Sequence, residues 1–508
     1  MNGLKWSCRL FSIDLRSLAV FRIGLASIFF CDIAFLRFPE IDAFYADGGM
    51  FSLQHAENWL SGTACWSLCL LSGSWQFQAS MLGLAAGLSI LMLFGWQTRI
   101  VTIGCWVMAV SIANRNPLVC NYGDTMLQVF LFWGMFLPLG AKWSLDARGL
   151  RGKRKSPICG SSVCSAASAA ALLQLSFVYV FAAFWKWNAD WLSGSAAEVA
   201  LQLEYTRRTS ALDGLIYAPL LKPLTIATLF LELLGPVIIW IPWRTQIFRY
   251  AMFIAFFLLH LCIELLFTPA LLSYICVVAW ALFLPSSFWN SVRIKRMFQI
   301  ETEDPARALE TPATQMTRFS LIRRRSVDVI CLTLLLYALL WNVATLRSQQ
   351  FGSIIPENLR WIGQATMLGQ TWDMFSRPSK DNGWHKARAR LADGSVIDVL
   401  RGGEPFEADL LESNWSYFPS SRSKYFFRRL GIMESLEPLG DPIAEYLRDD
   451  WNSQHSESQR VVELTLLYYE LPTSVEPGRF TVRQTGFSMT ESESDWESLL
   501  APLDALNF

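Results

Sequence analysis

Apolar residues along this chain gather in long runs rather than alternating with polar ones. Nearly unbroken hydrophobic stretches fall at about 18–36, 77–95, 99–114, 124–140, 166–187, 223–242, 249–267, 269–289 and 327–346. A helix needs roughly 17–25 residues to cross the hydrocarbon core of a bilayer, so the pattern predicts about nine transmembrane helices. Beyond residue 346 the pattern changes. HKARARLADGSVIDVL carries charged/apolar alternation up to Asp393-Gly394, a hairpin signal, with a second run after it. FRRLGIM and DPIAEYLRDDW have helical character, the second with Asp441 read as the N-cap and Pro442 at the first position. RVVELTLLYYEL reads as a further strand. The expected fold class is a polytopic α-helical membrane protein with a bundle over 1–346 and a C-terminal extracytoplasmic α+β region over 347–508.

Charge sets the expected orientation. Net charge is zero, but the basic residues are unevenly placed. Lys142, Arg148, Arg151, Lys153, Arg154 and Lys155 share one loop, and Arg293, Lys295, Arg296, Arg307, Arg318 and Arg323 to Arg325 share another. The alternate loops hold only Arg37, Arg115, Arg207, Arg208 and Lys222, with Lys186 at the membrane edge. By the positive-inside rule the N-terminus is cytoplasmic and an odd number of spans puts the C-terminal region outside. Lys5, Arg9 and Arg16 precede the first run with no small-residue cleavage site after it, so that run is expected to stay as a span. Residues 56–76 read as an interfacial or re-entrant segment.

Composition narrows the chemistry. The chain is 53% hydrophobic with 22 Trp in 508 residues, as expected of a multi-span protein with a polar appendage. Its four His (His55, His260, His385, His455) and its cysteines, none in a CxxC pair, offer no zinc-site spacing, so no metal is expected. Whether Cys65, Cys69 and Cys120 pair is left open by their spacing. No phosphate-binding glycine loop or nucleic-acid signature occurs. The basic loops are accounted for by topology and anionic lipid, which makes the lipid bilayer the expected partner and excludes nucleic acid.

The segment FVYVFAAFWKWNADWLSG carries the sharpest candidate, Lys186, followed by Asn188, Asp190 and Trp191. A terminal lysine among Trp185, Trp187 and Trp191 can snorkel to the interface, but ionisable groups at membrane depth are functional candidates by default. Arg22 and Asp32 in the first run are ten residues apart and cannot pair with each other, so each needs a partner elsewhere in the bundle or water. Glu232 lies in the sixth run. His260 and Glu264 are four apart in the seventh and share a helix face, an arrangement that can orient an imidazole for proton transfer or join two helices. In ANRNPLVCNYGDTMLQ, Arg115 and Asp124 bracket a Pro/Gly-broken loop with Asn121 inside it; Asp124 reads either as an N-cap-like anion or as a site residue.

The pattern around Lys186 resembles the segment of the vitamin K-dependent γ-glutamyl carboxylases that bears their catalytic lysine. SLAVFRIGLASIFFCDI, DAFYADGGM and KWSLDARGL occur in that family's order, and His260 sits where the family carries a histidine. RNPLVCNYGDTML, FWGMFLPLG, QTWDMFSRPSKDNGW and LADGSVIDVL are more similar still to the bacterial HTTM (horizontally transferred transmembrane domain) branch, which implies a bacterial inner membrane. The resemblance implies that Lys186 is a base acting on a reduced quinone of the vitamin K or menaquinone type, with His260 as the second catalytic candidate; Asn121, Asp124, Arg115, Asp190 and Glu264 are the candidate supporting residues. A peptide or protein substrate on the outer side is the implied acceptor. The sequence departs from the carboxylases at Cys120-Asn121-Tyr122-Gly123, where they carry an Asn-Asn-His motif, and at Trp185, where they carry a second lysine. These departures put carboxylation of protein glutamate in question and leave chemistry on a lipophilic substrate open. The alternative is a non-catalytic membrane scaffold or maturation factor that binds a secreted or membrane partner through its outer region; a transporter is the third reading.

Overall fold

The structure is a computed structural model that describes residues 10–153, 161–208, 219–291, 318–347, 354–379, 381–408, 415–472 and 481–489. Each of the nine apolar runs is helical. The helices are α1 (Leu15–Cys31), α2 (Trp75–Phe94), α3 (Thr98–Arg115), α4 (Tyr122–Gly134), α5 (Ala166–Trp185), α6 (Leu221–Ile238), α7 (Thr245–Leu266), α8 (Leu272–Trp280) and α9 (Arg318–Arg347). Six segments are long and apolar enough to cross a membrane: Leu15–Phe44, Trp75–Phe94, Ala166–Trp185, Leu221–Ile238, Thr245–Leu266 and Arg325–Leu346. The other three helices are shorter or more polar. Pro138 and Gly140 follow the end of α4, α8 ends in a 3-10 turn at Ala281–Phe283, and α3 carries Arg99, Asn114 and Arg115. The helices present exposed apolar side chains, among them Leu84, Ile100, Phe230, Ile254, Leu265 and Val329. Hydrocarbon-length helices that are apolar on their outer faces belong in a bilayer, and this is a multi-pass membrane protein.

Helix α5 is the most enclosed candidate span, packed against α6 and α9. Helix α8 packs on α1, α4 and α7 and closes the other side of the core. The segment 56–76 does not span: a short helix, Leu53–Leu60, runs into its start and a 3-10 turn, Leu68–Leu71, lies within it.

Isolated charges in the spans find partners, as burial requires. Arg22 donates to the carbonyls of Leu139 at 2.9 Å, Lys142 at 3.3 Å, Leu93 at 3.4 Å and Trp143 at 2.5 Å, next to the C-terminus of α2, where the helix dipole favours a cation. Asp32 opens a π-helical turn, Asp32–Arg37. The wider turn brings residues five apart onto one face, and Arg37 Nε reaches Asp32 Oδ2 at 2.7 Å.

The C-terminal region contains a five-stranded antiparallel sheet: β1 (Asp381–Leu391), β2 (Val396–Asp398), β3 (Glu404–Pro405), β4 (Val461–Pro472) and β5 (Thr481–Met489), in the order β3-β2-β1-β4-β5. The hairpin expected around Asp393-Gly394 joins β1 to β2, with Gly394 in the left-handed region at φ 87°. Helices α10 (Ser421–Ile432) and α11 (Gly440–Gln454) pack on the sheet. Asp441 is not the N-cap of α11. The chain enters from the 3-10 turn Glu434–Leu439, so Leu439 caps the helix and Asp441 instead accepts the Phe487 amide at 2.9 Å.

One arginine ties this region to the bundle. Arg422, on the first turn of α10, is 1% exposed. It pairs with Asp32, with Asp124 at 3.0 Å and with the Val119 carbonyl at 3.0 Å, while Arg37 also pairs with Asp124. Replacing one member of a buried charge network leaves the others uncompensated, at a cost of about 3–5 kcal/mol. Arg422→Ala is therefore expected to lower the unfolding midpoint of the protein in nanodiscs, and Asp124→Asn to do so in parallel. A wild-type midpoint for Arg422→Ala would mean that the two parts are not held together by this contact.

The sheet supplies a pH effect. Burial, with Arg483 and Arg428 nearby, pushes the imidazole of His385 down from 6.5 to about 3. Between those values the unfolded chain binds more protons, so stability is complete above pH 6.5 and falls on acidification toward 3. Burial raises Asp398 from 3.8 to about 6, which acts with the opposite sign in an overlapping window. His385→Leu removes only the first effect. Its unfolding midpoint is expected to fall less than that of wild type between pH 7 and 4.5, by about 3 °C per kcal/mol retained; equal falls would contradict the assignment.

Candidate functional site

Lys186 does not snorkel. It is the C-cap of α5, its side chain is 2% exposed, and Nζ lies 2.5 Å from Oε2 of Glu232 on the neighbouring helix α6. The ammonium also sits over the Trp191 ring, 5.1 Å from its centroid. A single lysine and a single glutamate on adjacent apolar helices thus form one buried ion pair.

The turn after Lys186 fixes this geometry. Asn188 caps the short helix Ala189–Leu192 and donates to the Ser376 carbonyl at 2.8 Å, and Trp191 Nε1 donates to the Phe375 carbonyl at 2.9 Å. The segment after Lys186 is therefore fastened to the C-terminal region. Gly194 ends it at φ 82°, where a side chain would strike the Lys222 backbone at 2.9 Å; this close approach leads the chain toward α6.

A second polar group lies in the same helices. Tyr179 is seven residues before Lys186, hence on the same face of α5. Its Oη lies 2.6 Å from Nε2 of His260 on α7, and Trp280 Nε1 on α8 donates to it at 3.0 Å. Phe256 stacks on Trp280 with ring centroids 4.1 Å apart and closes over Tyr179 at 4.4 Å. His260 is 4% exposed. The two groups share one electrostatic neighbourhood: the Lys186 charge acts on His260 and Cys276, and the Glu232 charge on Tyr179 and Cys276. Helices α5, α6, α7 and α8 together enclose a lysine, a carboxylate, an imidazole, a phenol and a thiol in an otherwise apolar interior.

The other candidates go elsewhere. Glu264 pairs with Arg208 and accepts from Tyr274 Oη at 2.8 Å, so it does not orient His260 despite the shared helix. Asp124 joins Arg37 and Arg422, and its Oδ2 accepts the Asn121 amide at 2.7 Å in a capping box. Asn121 is the N-cap of α4, and the adjacent Tyr122 donates to Asp373 at 2.6 Å. Arg115 donates to the Phe51 carbonyl at 2.9 Å. Asp190 is half-buried in the turn after Lys186, and its carbonyl takes the Ser195 amide at 2.9 Å. Among the described residues no hydrogen bond or ion pair links Asn121, Asp124, Arg115 or Glu264 to Lys186. Sequence reasoning missed Glu232 and Tyr179 as companions of Lys186. The available signals were the need of a buried lysine for a counter-ion and the seven-residue helical spacing. Cys65, Cys69 and Cys120 are free thiols, and among the described residues no group of three or more His, Cys, Asp or Glu side chains is arranged to hold a metal.

Residues 11–289 match the model of the HTTM domain, more than half of the chain. No curated protein and no solved structure matches it.

If the pair is as close as its geometry, breaking it from one side is costly and removing both sides is not. Glu232→Gln strands a buried ammonium and is expected to destabilise by about 3–5 kcal/mol, whereas Lys186→Met with Glu232→Leu is expected to return close to wild type or above it. Additive losses in the double variant, measured by thermal unfolding in nanodiscs, would contradict a direct pair.

Proposed function

The chain belongs to the HTTM domain family, and from that premise we propose that it is a carboxylase-like membrane enzyme whose Lys186–Glu232 pair moves a proton off a lipophilic hydroquinone. We place it in a bacterial inner membrane with nine crossings. Its N-terminus is cytoplasmic and residues 347–508 form an outer domain, as the distribution of lysine and arginine favours. The observation that carries the reading is a lysine 2% exposed, 2.5 Å from a carboxylate on the next span.

The residues present fit a ring bearing two oxygens. His260 Nδ1 and Trp185 Nε1 are buried without hydrogen-bond partners among the described residues, and Lys186 and Glu232 supply one acid-base pair. A protein interior of this kind lowers the cost of neutralising such a pair, because passing a proton from Nζ to Oε2 removes two buried charges at once. The amine so formed is a base. When Nζ takes a proton from a bound hydroxyl, Glu232 holds the proton that Lys186 gave up, and no bulk water is needed. Apolar helices exclude water from the site. The bound group supplies the reducing power: hydroquinone and dioxygen give the quinone epoxide and water, chemistry the resemblance associates with deprotonation and carboxylation of an acceptor.

The test is quinol oxidation in nanodiscs with reduced menaquinone or a vitamin K analogue and oxygen, following the epoxide. Wild type is expected to form it. Lys186→Met is expected to lose about 10²–10⁴-fold per folded molecule, the scale of a general base, and the better-packed Lys186→Met with Glu232→Leu to be equally inactive; Glu232→Gln is also expected to be slow. Full activity in Lys186→Met, or no turnover of several quinols by folded wild type, would overturn the reading.

A further inference from the structure

The end of the bundle away from Lys186 carries a cleft that the chemistry there does not use. Ile13 pairs with Val163, so α1 and α5 start at the same end, whereas Lys186 closes the far end of α5. The cleft lies at that starting end, between α1, the last turn of α2 and the short helix Leu145–Lys153. Its volume is about 290 Å³, near the low end for ligand sites, and Ile23, Leu93, Phe94, Trp143, Leu145 and Arg148 line it.

The floor and the rim of the cleft differ in chemistry. Ile23, Leu93 and Phe94 make an apolar floor, and Phe94 is 57% exposed on the outside of the bundle. Trp96 and Trp143 are exposed beside it, as tryptophans are at the edge of the hydrocarbon. Arg148 at the rim is exposed, and its guanidinium makes no hydrogen bond or ion pair among the described residues. Behind the wall lies the buried Arg22, which donates to the carbonyls of Leu93 and Trp143 and has no ion-pair partner among the described residues. Asp146 does not offset these charges at the mouth. Its two oxygens accept the amides of Gln97 and Thr98, both at 2.8 Å, at the start of α3. Lys142 stands in the same turn, and the sequence continues with Arg151, Lys153, Arg154 and Lys155. Trp143 holds φ at 50°, a costly conformation for an aromatic residue, with its carbonyl on Arg22 and its ring on Trp289, centroids 5.6 Å apart. Strain retained at the rim of a cleft is a mark of a working site.

We propose that this cleft binds one anionic phospholipid, its phosphate at Arg148 and an acyl chain against Ile23, Leu93 and Phe94. A free anion gains nothing from the apolar floor, and a neutral lipid gains nothing from Arg148. Only an anion with a hydrocarbon tail uses both parts, at the boundary where such lipids lie. The lipid would join α1, α2 and the basic turn, and its binding is independent of the hydroquinone reading.

The experiment is native mass spectrometry of the full chain released from nanodiscs of phosphatidylcholine with added phosphatidylglycerol. Wild type is expected to retain one phosphatidylglycerol in preference to phosphatidylcholine. Arg148→Gln is expected to weaken that preference about fivefold, the scale of one basic residue at an anionic surface, and Arg148→Lys to keep most of it. Because Arg148 is exposed, both variants are expected to fold as wild type. Ile23→Trp, which fills the floor, is expected to lower retention. Arg99→Gln removes an exposed arginine outside the cleft and is expected to change nothing. Excess glycerol 3-phosphate, the anion without its tails, is not expected to displace the lipid. No preference in wild type, or an undiminished one in Arg148→Gln, overturns the proposal. An equal loss in Arg99→Gln would mean diffuse attraction to basic loops, and displacement by glycerol 3-phosphate a bare phosphate site; either overturns it as well.

Discussion

A charge taken out of water and into an apolar bundle must find its opposite, and much of this structure follows from that constraint. Lys186 has Glu232. Asp32 and Asp124 have Arg37 and Arg422. Arg22, with no ion-pair partner among the described residues, donates to carbonyls near a helix end. Because two of the bundle's aspartates are balanced by an arginine from α10, the C-terminal region is part of the charge balance of the membrane part rather than an appendage on a tether. The same region also fastens the turn after Lys186 through Phe375 and Ser376.

These ties have a consequence for chemistry. A base at the C-terminus of a helix is useful only if its surroundings hold it near the reacting atom. Here Asn188, Trp191 and Gly194 fix the chain immediately after Lys186, α6 brings the carboxylate, and α7 and α8 bring His260 and Trp280 onto Tyr179. Polar atoms from four helices converge in a mostly apolar interior.

The legible part of the fold was the part written in long-range periodicity. All nine apolar runs are helices, and the Asp393-Gly394 hairpin and the strand at RVVELTLLYYEL form where turn chemistry and alternation put them. Asp441 misled because a capping residue is recognised by the chain that precedes it, and the 3-10 turn before Gly440 left no local trace. For the site, Lys186 and His260 stood out as isolated polar residues in apolar runs. Their partners did not, since pairing between α5 and α6, or between Asp124 and Arg422 nearly 300 residues apart, depends on packing that no local pattern encodes. The His260–Glu264 spacing is a true helix-face relation, yet Arg208 and Tyr274 compete for the carboxylate.

The central claim is that a proton leaving the ligand ends on Glu232 by way of Lys186. Infrared difference spectroscopy of the protein in nanodiscs, recorded on adding a reduced quinol without oxygen, observes that carboxyl group directly. The account predicts a new carbonyl stretch of a protonated carboxylic acid that is absent in Glu232→Gln. A bound quinol with no such band, or a band that persists in Glu232→Gln, would contradict it.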